Sequence, residues 1–366
     1  MSEAKNYPWE IFPGFEIEQM AEGLNMPVNI VFREDPTTLA NAYVTELYGA
    51  IKAFDHDWKA HTFAEDLLNF QPDPEIPGEG ESGVTGICID PERTGIFASM
   101  IYKQDGGVKA KVVRFTSEDG LRASSSETII DDLPSTKKAH QIQDLTIGFD
   151  GKLYVNMGDG GAWKEAPHDV DDPRGKILRL NLDGSIPEDN PFAGSMVYAK
   201  GFRNPFGAAW RKQDRSLYVT VNGPRVDDVV TRVEPRSGHG WYPDMRRNAI
   251  FWWHRPQAPT GLDFAENGQF PPRYQGELFV ALFGPSYKEG RAVKGKKIVK
   301  IRLNKDATAV KSYDEFATYV GEGPGSPCGL AFGPGGLFFT DLHEGKIYRI
   351  RPRPDYDFGS ATEHVM

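Results

Sequence analysis

His140 precedes the apolar stretch QIQDLTIGFDGKLYVNM, and Asp159 follows it between glycines. An imidazole backed by a carboxylate is a general base usable near neutral pH, because the carboxylate holds the ring in one orientation. The same two residues also read as a loop histidine and a turn-forming aspartate, and the spacing leaves both readings open. Arg203 and Asn204, in KGFRNPFGAAW, sit between a glycine and a proline. An arginine there offers a planar fork of donors to a carboxylate or carbonyl oxygen, or else braces a neighbouring strand. In VNGPRVDDVV the kink at Gly223 and Pro224 turns backbone carbonyls inward. With Asp227 and Asp228 nearby, that donor chemistry suits calcium, although a solvated turn has the same look. Of Lys296 and Lys297, one is expected to point inward and the other to solvent. His168, in the acidic stretch EAPHDVDDPRGK, reads as a loop residue or a metal ligand. Trp252, Trp253 and His254 read either as a surface that stacks on a sugar ring or as a cover for the core.

A repeat supplies the frame for these residues. Strand-like phrases with the same turn–strand–turn–strand grammar begin at Tyr43, Phe97, Tyr154, Tyr218, Phe279 and Phe338, spaced 54 to 64 residues apart. Examples are GKLYVNMGDGG with GKILRLNLDG, and GGLFFTDLHEGKIYRIRP. Each copy alternates apolar with polar residues and is rich in Val, Ile, Tyr and Phe, which is strand chemistry. Glycines and Asx–Gly pairs provide the turns of tight hairpins. Six such units predict an all-β, six-bladed β-propeller of four-stranded antiparallel blades around a central channel, forming one domain over residues 1–366. The segment FEIEQMAEGLNMPVNIVF is the candidate for a strand that completes the last blade. Only HTFAEDLLNF, around Phe63, has the look of a helical turn or loop.

Composition narrows the function classes. The formal net charge of −10 argues against a nucleic-acid partner, whose binding rests on neutralising phosphates. No run of about 18 apolar residues occurs, so no membrane span is expected. The opening MSEAKNYPWEIF lacks a basic flank followed by an apolar core and does not read as a secretory signal. Cys88 and Cys328 lie in short apolar runs and read as buried free thiols. There is no Gly-x-Ser-x-Gly elbow, phosphate loop or Cys/His zinc spacing, so serine-hydrolase, nucleotide-dependent and zinc readings are demoted.

Taken in order, SGVTGICIDP, HQIQDLTIGFDGKLYVNMGDGG, GKILRLNLDGSIPEDNPF, GFRNPFGAAW, NGPRVDD, HRPQAPTGLDF and SPCGLAFGPGGLFFTDLHEGKIYRI resemble the glucose/sorbosone dehydrogenase family of quinoprotein propellers. The resemblance runs from about Gly23 to Arg351 and lies closest to the sorbosone/aldose branch. It implies oxidation of a sugar or polyol with pyrroloquinoline quinone (PQQ) and Ca2+, the electrons passing to a dye-like or protein acceptor. By position, His140 becomes the base that takes the hydroxyl proton, Asp159 its orienting partner, and Arg203 the group that stabilises the quinone oxygen. Gln141, Asn204, and Lys296 or Lys297 become cofactor contacts, with Gly223, Pro224 and Asp227 at the metal. The family's usual compartment is outside the cytoplasm. Four positions depart from the pattern. Ser326 stands where an arginine is expected, Phe283 and Ser286 replace a His-Gly-Ser-Trp phrase, and Asp144 replaces a residue that is commonly basic. Lys288, Arg291 and Arg225 are the cations available to compensate. Two rival readings follow: a non-catalytic propeller that lost its cofactor, and a calcium-dependent, lactonase-like hydrolase.

Overall fold

The computed structural model describes residues 7–71, 82–135, 139–162, 164–266, 268–285, 290–292 and 294–359. Two strands come first, β1 (Trp9–Ile11) and β2 (Phe15–Ala21). Blade 1 is β3 (Pro27–Phe32), β4 (Ala40–Glu46), β5 (Ala50–Asp55) and β6 (Ala60–Ala64). Blade 2 is β7 (Val84–Ile89), β8 (Gly95–Gln104), β9 (Gly107–Ser117) and β10 (Ala123–Ser135). Blade 3 is β11 (Ile142–Ile147), β12 (Leu153–Met157), β13 (Lys176–Leu180) and β14 (Val197–Lys200). Blade 4 is β15 (Pro205–Arg211), β16 (Ser216–Val221), β17 (Asp228–Val233) and β18 (Ala249–Trp253). Blade 5 is β19 (Pro259–Phe264), β20 (Leu278–Leu282), β21 (Lys297–Leu303) and β22 (Val310–Tyr319). Blade 6 has β23 (Pro327–Gly333), β24 (Gly336–Asp341) and β25 (Lys346–Pro352).

The chain's second strand completes the ring. Blade 6 takes β2 as its fourth strand, in antiparallel register with β25. The first strand does something the sequence pattern does not show: β1 adds to the outer edge of blade 5, beside β22. Successive innermost strands contact one another around the ring, and β23 contacts β3, so six sheets close into a six-bladed β-propeller. The six repeat starts all fall on the second strand of a blade, and their side chains are fully or almost fully buried. In five blades this aromatic sits directly opposite a basic residue of the third strand. The pairs are Phe97 with Arg114, Tyr154 with Arg179, Tyr218 with Arg232, Phe279 with Lys300 and Phe338 with Arg349. Cross-strand pairs of this kind stabilise a sheet face, and an arginine over a ring adds an electrostatic attraction. The Arg114 guanidinium lies 5.1 Å from the Phe97 ring centre and that of Arg349 5.7 Å from Phe338.

The stretch HTFAEDLLNF is corrected. Its first half is the edge strand β6, which pairs with β5, and there Phe63 packs on Tyr43 at 5.0 Å and His61 meets Asp55 on the neighbouring strand. Cys88 and Cys328 are buried free thiols. Among the described residues, no helix is long and apolar enough to cross a membrane.

The inner strands approach closely. At their third residue, Gly86, Gly207, Gly261 and Gly329 leave no room, since an added Cβ would come within 2.2 to 2.5 Å of backbone in an adjacent inner strand. The other two blades carry Asn29 and Asp144 there, and Asn29 Nδ2 donates to Asp144 Oδ1 at 2.6 Å. Asp144 also accepts from the backbone N–H groups of Leu145 and Ala208. Asp144 is thus a strut tying blades 1, 3 and 4. Burial, with the second buried acid Asp263 adding to it, pushes the Asp144 carboxyl up to about 7 against those three hydrogen bonds.

Candidate functional site

At one end of the ring each inner strand begins where the adjacent second strand ends. Residues entering inner strands and leaving second strands therefore share one mouth. Blade 3 contributes His140 and Gln141 before β11, and Gly158 and Asp159 after β12. Two backbone bonds hold them face to face, from Gly158 N–H to Gln141 O at 2.9 Å and from Gly160 N–H to His140 O at 3.0 Å. Gly158 allows this approach, because a Cβ there would lie 2.2 Å from His140 O.

The side chains meet as well. His140 Nδ1 lies 2.7 Å from Asp159 Oδ1. Asp159 is buried and also accepts from Gly161 N–H at 2.8 Å and from the Trp241 indole N–H, through Oδ2, at 2.8 Å. Burial works to raise the Asp159 pKa, but the bond from His140, its charge and the two further donors outweigh it and hold the carboxyl below its usual range. The carboxylate stays ionised and faces Nδ1, so Nδ1 carries the hydrogen and Nε2 is the basic nitrogen.

Arg203 joins the pair from blade 4. Its carbonyl accepts from Asp159 N–H at 2.7 Å, and its guanidinium lies 5.8 Å from the Trp241 ring centre. Arg203 Nη1 donates to the carbonyls of Asn222 and Gly223 at 2.8 and 3.0 Å. Asn204 is buried beside it, with its carbonyl accepting from Asn222 N–H at 3.1 Å. Gln141 is fully buried, and its Oε1 has no hydrogen-bond partner among the described residues.

Lys296, from blade 5, is buried with Nζ donating to Gly290 O at 3.0 Å and lying 5.5 Å from the Tyr319 ring centre. Lys297 is not brought to the mouth. It starts β21 and pairs with Glu315 on the outer strand β22, as the alternation of strand side chains requires. Asp227 is likewise turned away: its carboxylate meets His254 at 3.1 Å and Arg246 at 3.6 Å. Its neighbour Asp228 turns inward instead and caps the backbone N–H groups of Gly223, Gln257 and Ala258. Pro224 and Arg225 are exposed, as is Arg291, while Ser286 and Lys288 lie outside the described residues. Trp253 covers the core, with its indole N–H on the Tyr313 hydroxyl, and Trp252 is exposed on the same outer strand. The His168 carbonyl accepts from Lys200 Nζ at 2.9 Å.

Trp241 is the site residue that the sequence pattern misses. It lies between β17 and β18, 82 residues beyond Asp159, in a segment with no strand period. His239 anchors that segment, stacked on Phe202 at 4.3 Å and held between the Thr231 and Ser237 hydroxyls. Burial, with the Arg247 charge adding to it, lowers the His239 pKa to about 4 from 6.5. The fold thus favours the neutral ring, so its contribution to stability is complete above the unfolded pKa and is lost as pH falls from about 6.5 to about 4. The expected result is that the wild type loses about 3 kcal/mol over that window which a His239→Gln variant does not lose. Denaturant titrations of both proteins at pH 7 and pH 4 check it, and parallel pH dependences would contradict it.

Comparison with known proteins places the chain among relatives of the same fold. A family model described as glucose/sorbosone dehydrogenase matches residues 24–316. The aldose sugar dehydrogenase YliI of Escherichia coli is 23% identical over 314 residues, covering 76% of this chain and 80% of that protein. Quinoprotein glucose dehydrogenase B of Acinetobacter calcoaceticus is 32% identical over 235 residues, covering 53% of this chain and 48% of that one. Among solved structures, a putative oxidoreductase (glucose dehydrogenase) from Thermus thermophilus superimposes with a TM-score of 0.74 at 24% identity, covering 92% of this chain and all of that one. The PQQ-bound aldose sugar dehydrogenase of Streptomyces coelicolor does so with a TM-score of 0.69 at 20% identity, covering 93% of this chain and 100% of that one.

Proposed function

Because the chain belongs to the glucose/sorbosone dehydrogenase family, whose members support a role as an oxidoreductase on sugars, we propose that it oxidises a hydroxyl of an aldose or polyol with PQQ as acceptor. The observation that carries this reading is the His140–Asp159 pair, backed by Trp241 and set beside Arg203 at one mouth of the ring. His140 Nε2 takes the proton of the substrate hydroxyl. Asp159 holds the ring and stabilises the imidazolium that forms. Trp241 and Gly161 hold Asp159 in turn, so the base is set before substrate arrives.

The donor set fits an anionic quinone. Arg203 and the buried Lys296 ammonium supply positive charge, and Gln141 Oε1, an acceptor with no partner among the described residues, can take an N–H or O–H of a bound molecule. Gln141, Asn204, Arg203 and Lys296 are the residues that would hold PQQ. When bound, PQQ supplies a two-electron acceptor. The carbonyls read as calcium donors fit less well. Gly223 O is already engaged by Arg203 Nη1 at 3.0 Å, so a dication there would face a guanidinium. No step is routed through calcium. Among the described residues, no group of three or more His, Cys, Asp or Glu could hold a metal, which gives the lactonase-like reading no donor cluster.

The test is titration of the protein with PQQ, followed by visible absorbance, then dye reduction against a panel of aldoses and polyols. We expect a saturable spectral change and PQQ-dependent dye reduction with at least one sugar. No spectral change and no dye reduction would overturn the reading. Parallel assays with added Ca2+ and with a chelator read the metal requirement separately.

A further inference from the structure

Blade 6 lies directly across the ring from blade 3, and the position that holds Asp159 in blade 3 holds His343 in blade 6. Asp159 is the second residue beyond β12, and His343 is the second beyond β24. The equivalence is set by hydrogen bonding, since Leu342 N–H donates to Ser326 O as Gly158 N–H donates to Gln141 O. The mouth therefore has two histidines on opposite walls. His140 is held by a carboxylate, whereas His343 is held by a hydroxyl, with Nδ1 lying 2.8 Å from Ser326 Oγ.

The Ser326 contact fixes which hydrogen His343 presents. Ser326 is fully buried, and among the described residues its hydroxyl has His343 as its side-chain partner. A buried hydroxyl hydrogen left without an acceptor is costly, so the Oγ–H donates to Nδ1. The hydrogen of the ring is then on Nε2. The Ser326 main chain is pinned as well, its N–H donating to Asp341 Oδ1 at 2.9 Å. Phe283 packs on the imidazole at 5.6 Å between ring centres. Burial, with Lys296 adding to it, lowers the His343 pKa, so the ring stays a neutral donor and does not become a second base. Lys296, which exerts that field, is buried in the adjoining blade.

We propose that His343, set by Ser326, donates its Nε2–H to an anionic oxygen of the bound PQQ on the wall opposite His140, beside Lys296. The side of the mouth bearing a carboxylate and a base handles the substrate hydroxyl. The side bearing an N–H donor and an ammonium takes the negative edge of the cofactor. This assignment rests on the functional reading above, and it gives Ser326 and Phe283, two departures from the family pattern, a joint role in holding one imidazole.

The test uses the double variant Ser326→Ala/His343→Phe. It keeps an aromatic ring on Phe283, removes the Nε2–H, and leaves no buried hydroxyl without an acceptor. A hydrogen bond to a charged group corresponds to roughly a ten- to hundredfold change in affinity. We expect PQQ, titrated by visible absorbance into the cofactor-free proteins, to bind at least about tenfold more weakly to the variant, with the cofactor-free melting temperature shifted by no more than about 2 °C. Ser326→Ala alone, which leaves the tautomer unset, should fall between the two. Equal affinity in wild type and double variant overturns the role of His343 while leaving the oxidoreductase reading intact. A wild type that binds no PQQ overturns that reading and this proposal with it.

Discussion

Replacing His140 with asparagine is expected to lower kcat by about a hundred- to ten-thousandfold and to leave the fold as it is. The reason for choosing asparagine is local. His140 has φ of 57°, in the left-handed region, where asparagine is well tolerated and alanine costs roughly 1 kcal/mol. The Asn amide can still donate toward Asp159, so the buried carboxylate keeps a partner, but an amide cannot take a proton at neutral pH. Activity and stability are thereby separated, which a His140→Ala variant does less cleanly. Steady-state dye reduction with the reconstituted enzyme reads the first effect and thermal melting the second. An asparagine variant that turns over at the wild-type rate would remove His140 from the chemistry. Loss of activity accompanied by a large fall in melting temperature would assign it a structural role.

What could be read from the sequence, and what could not, divides along physical lines. The repeat was legible because each blade buries an aromatic on its second strand, in five of the six opposite a basic residue on its third, and that demand recurs whenever a blade is built. The approach of His140 to Asp159 followed from the same frame, since both flank strands of one hairpin. Adjacent doublets were not legible. Asp227 and Asp228, like Lys296 and Lys297, differ by one residue, and one residue of register sends a side chain to the other face of a strand. Asp228 and Lys296 are the inward members, while Asp227 and Lys297 form ion pairs on the outer side. Contacts across blades were out of reach for another reason. Trp241 reaches Asp159 over 82 residues and Asn29 reaches Asp144 over 115, and no local period encodes such a meeting. The departures at Asp144 and Ser326 become intelligible only with these contacts in view. Asp144 is a strut in the waist of the ring, and Ser326 is the partner of a second histidine.

The same limit hid the N-terminal strap, whose removal is expected to have the largest effect on stability. In β1, three residues long, Trp9 pairs with Tyr319 of blade 5. Its indole packs edge-on against Tyr319 at 5.2 Å, Phe339 at 4.9 Å and Tyr348 at 6.2 Å. Phe339 and Tyr348 belong to blade 6, so one side chain fills the seam between two blades while β2, a few residues on, completes the second of them. Trp9→Ala should therefore cost about 3–5 kcal/mol, because it leaves a cavity walled by three rings that the two sheets hold apart. With an unfolding entropy of roughly 2 cal/mol/K per residue, that corresponds to a fall in melting temperature of about 5 °C for a chain of this length. Trp9→Phe is the control. The indole N–H has no hydrogen-bond partner among the described residues, so phenylalanine keeps most of the ring contact and discards a buried, unsatisfied donor. It should cost less than about 1.5 kcal/mol. Calorimetry of the three proteins distinguishes the cases: if Trp9→Ala melts with the wild type, the seam does not depend on this ring, and closure of the propeller rests on the β2–β25 pairing alone.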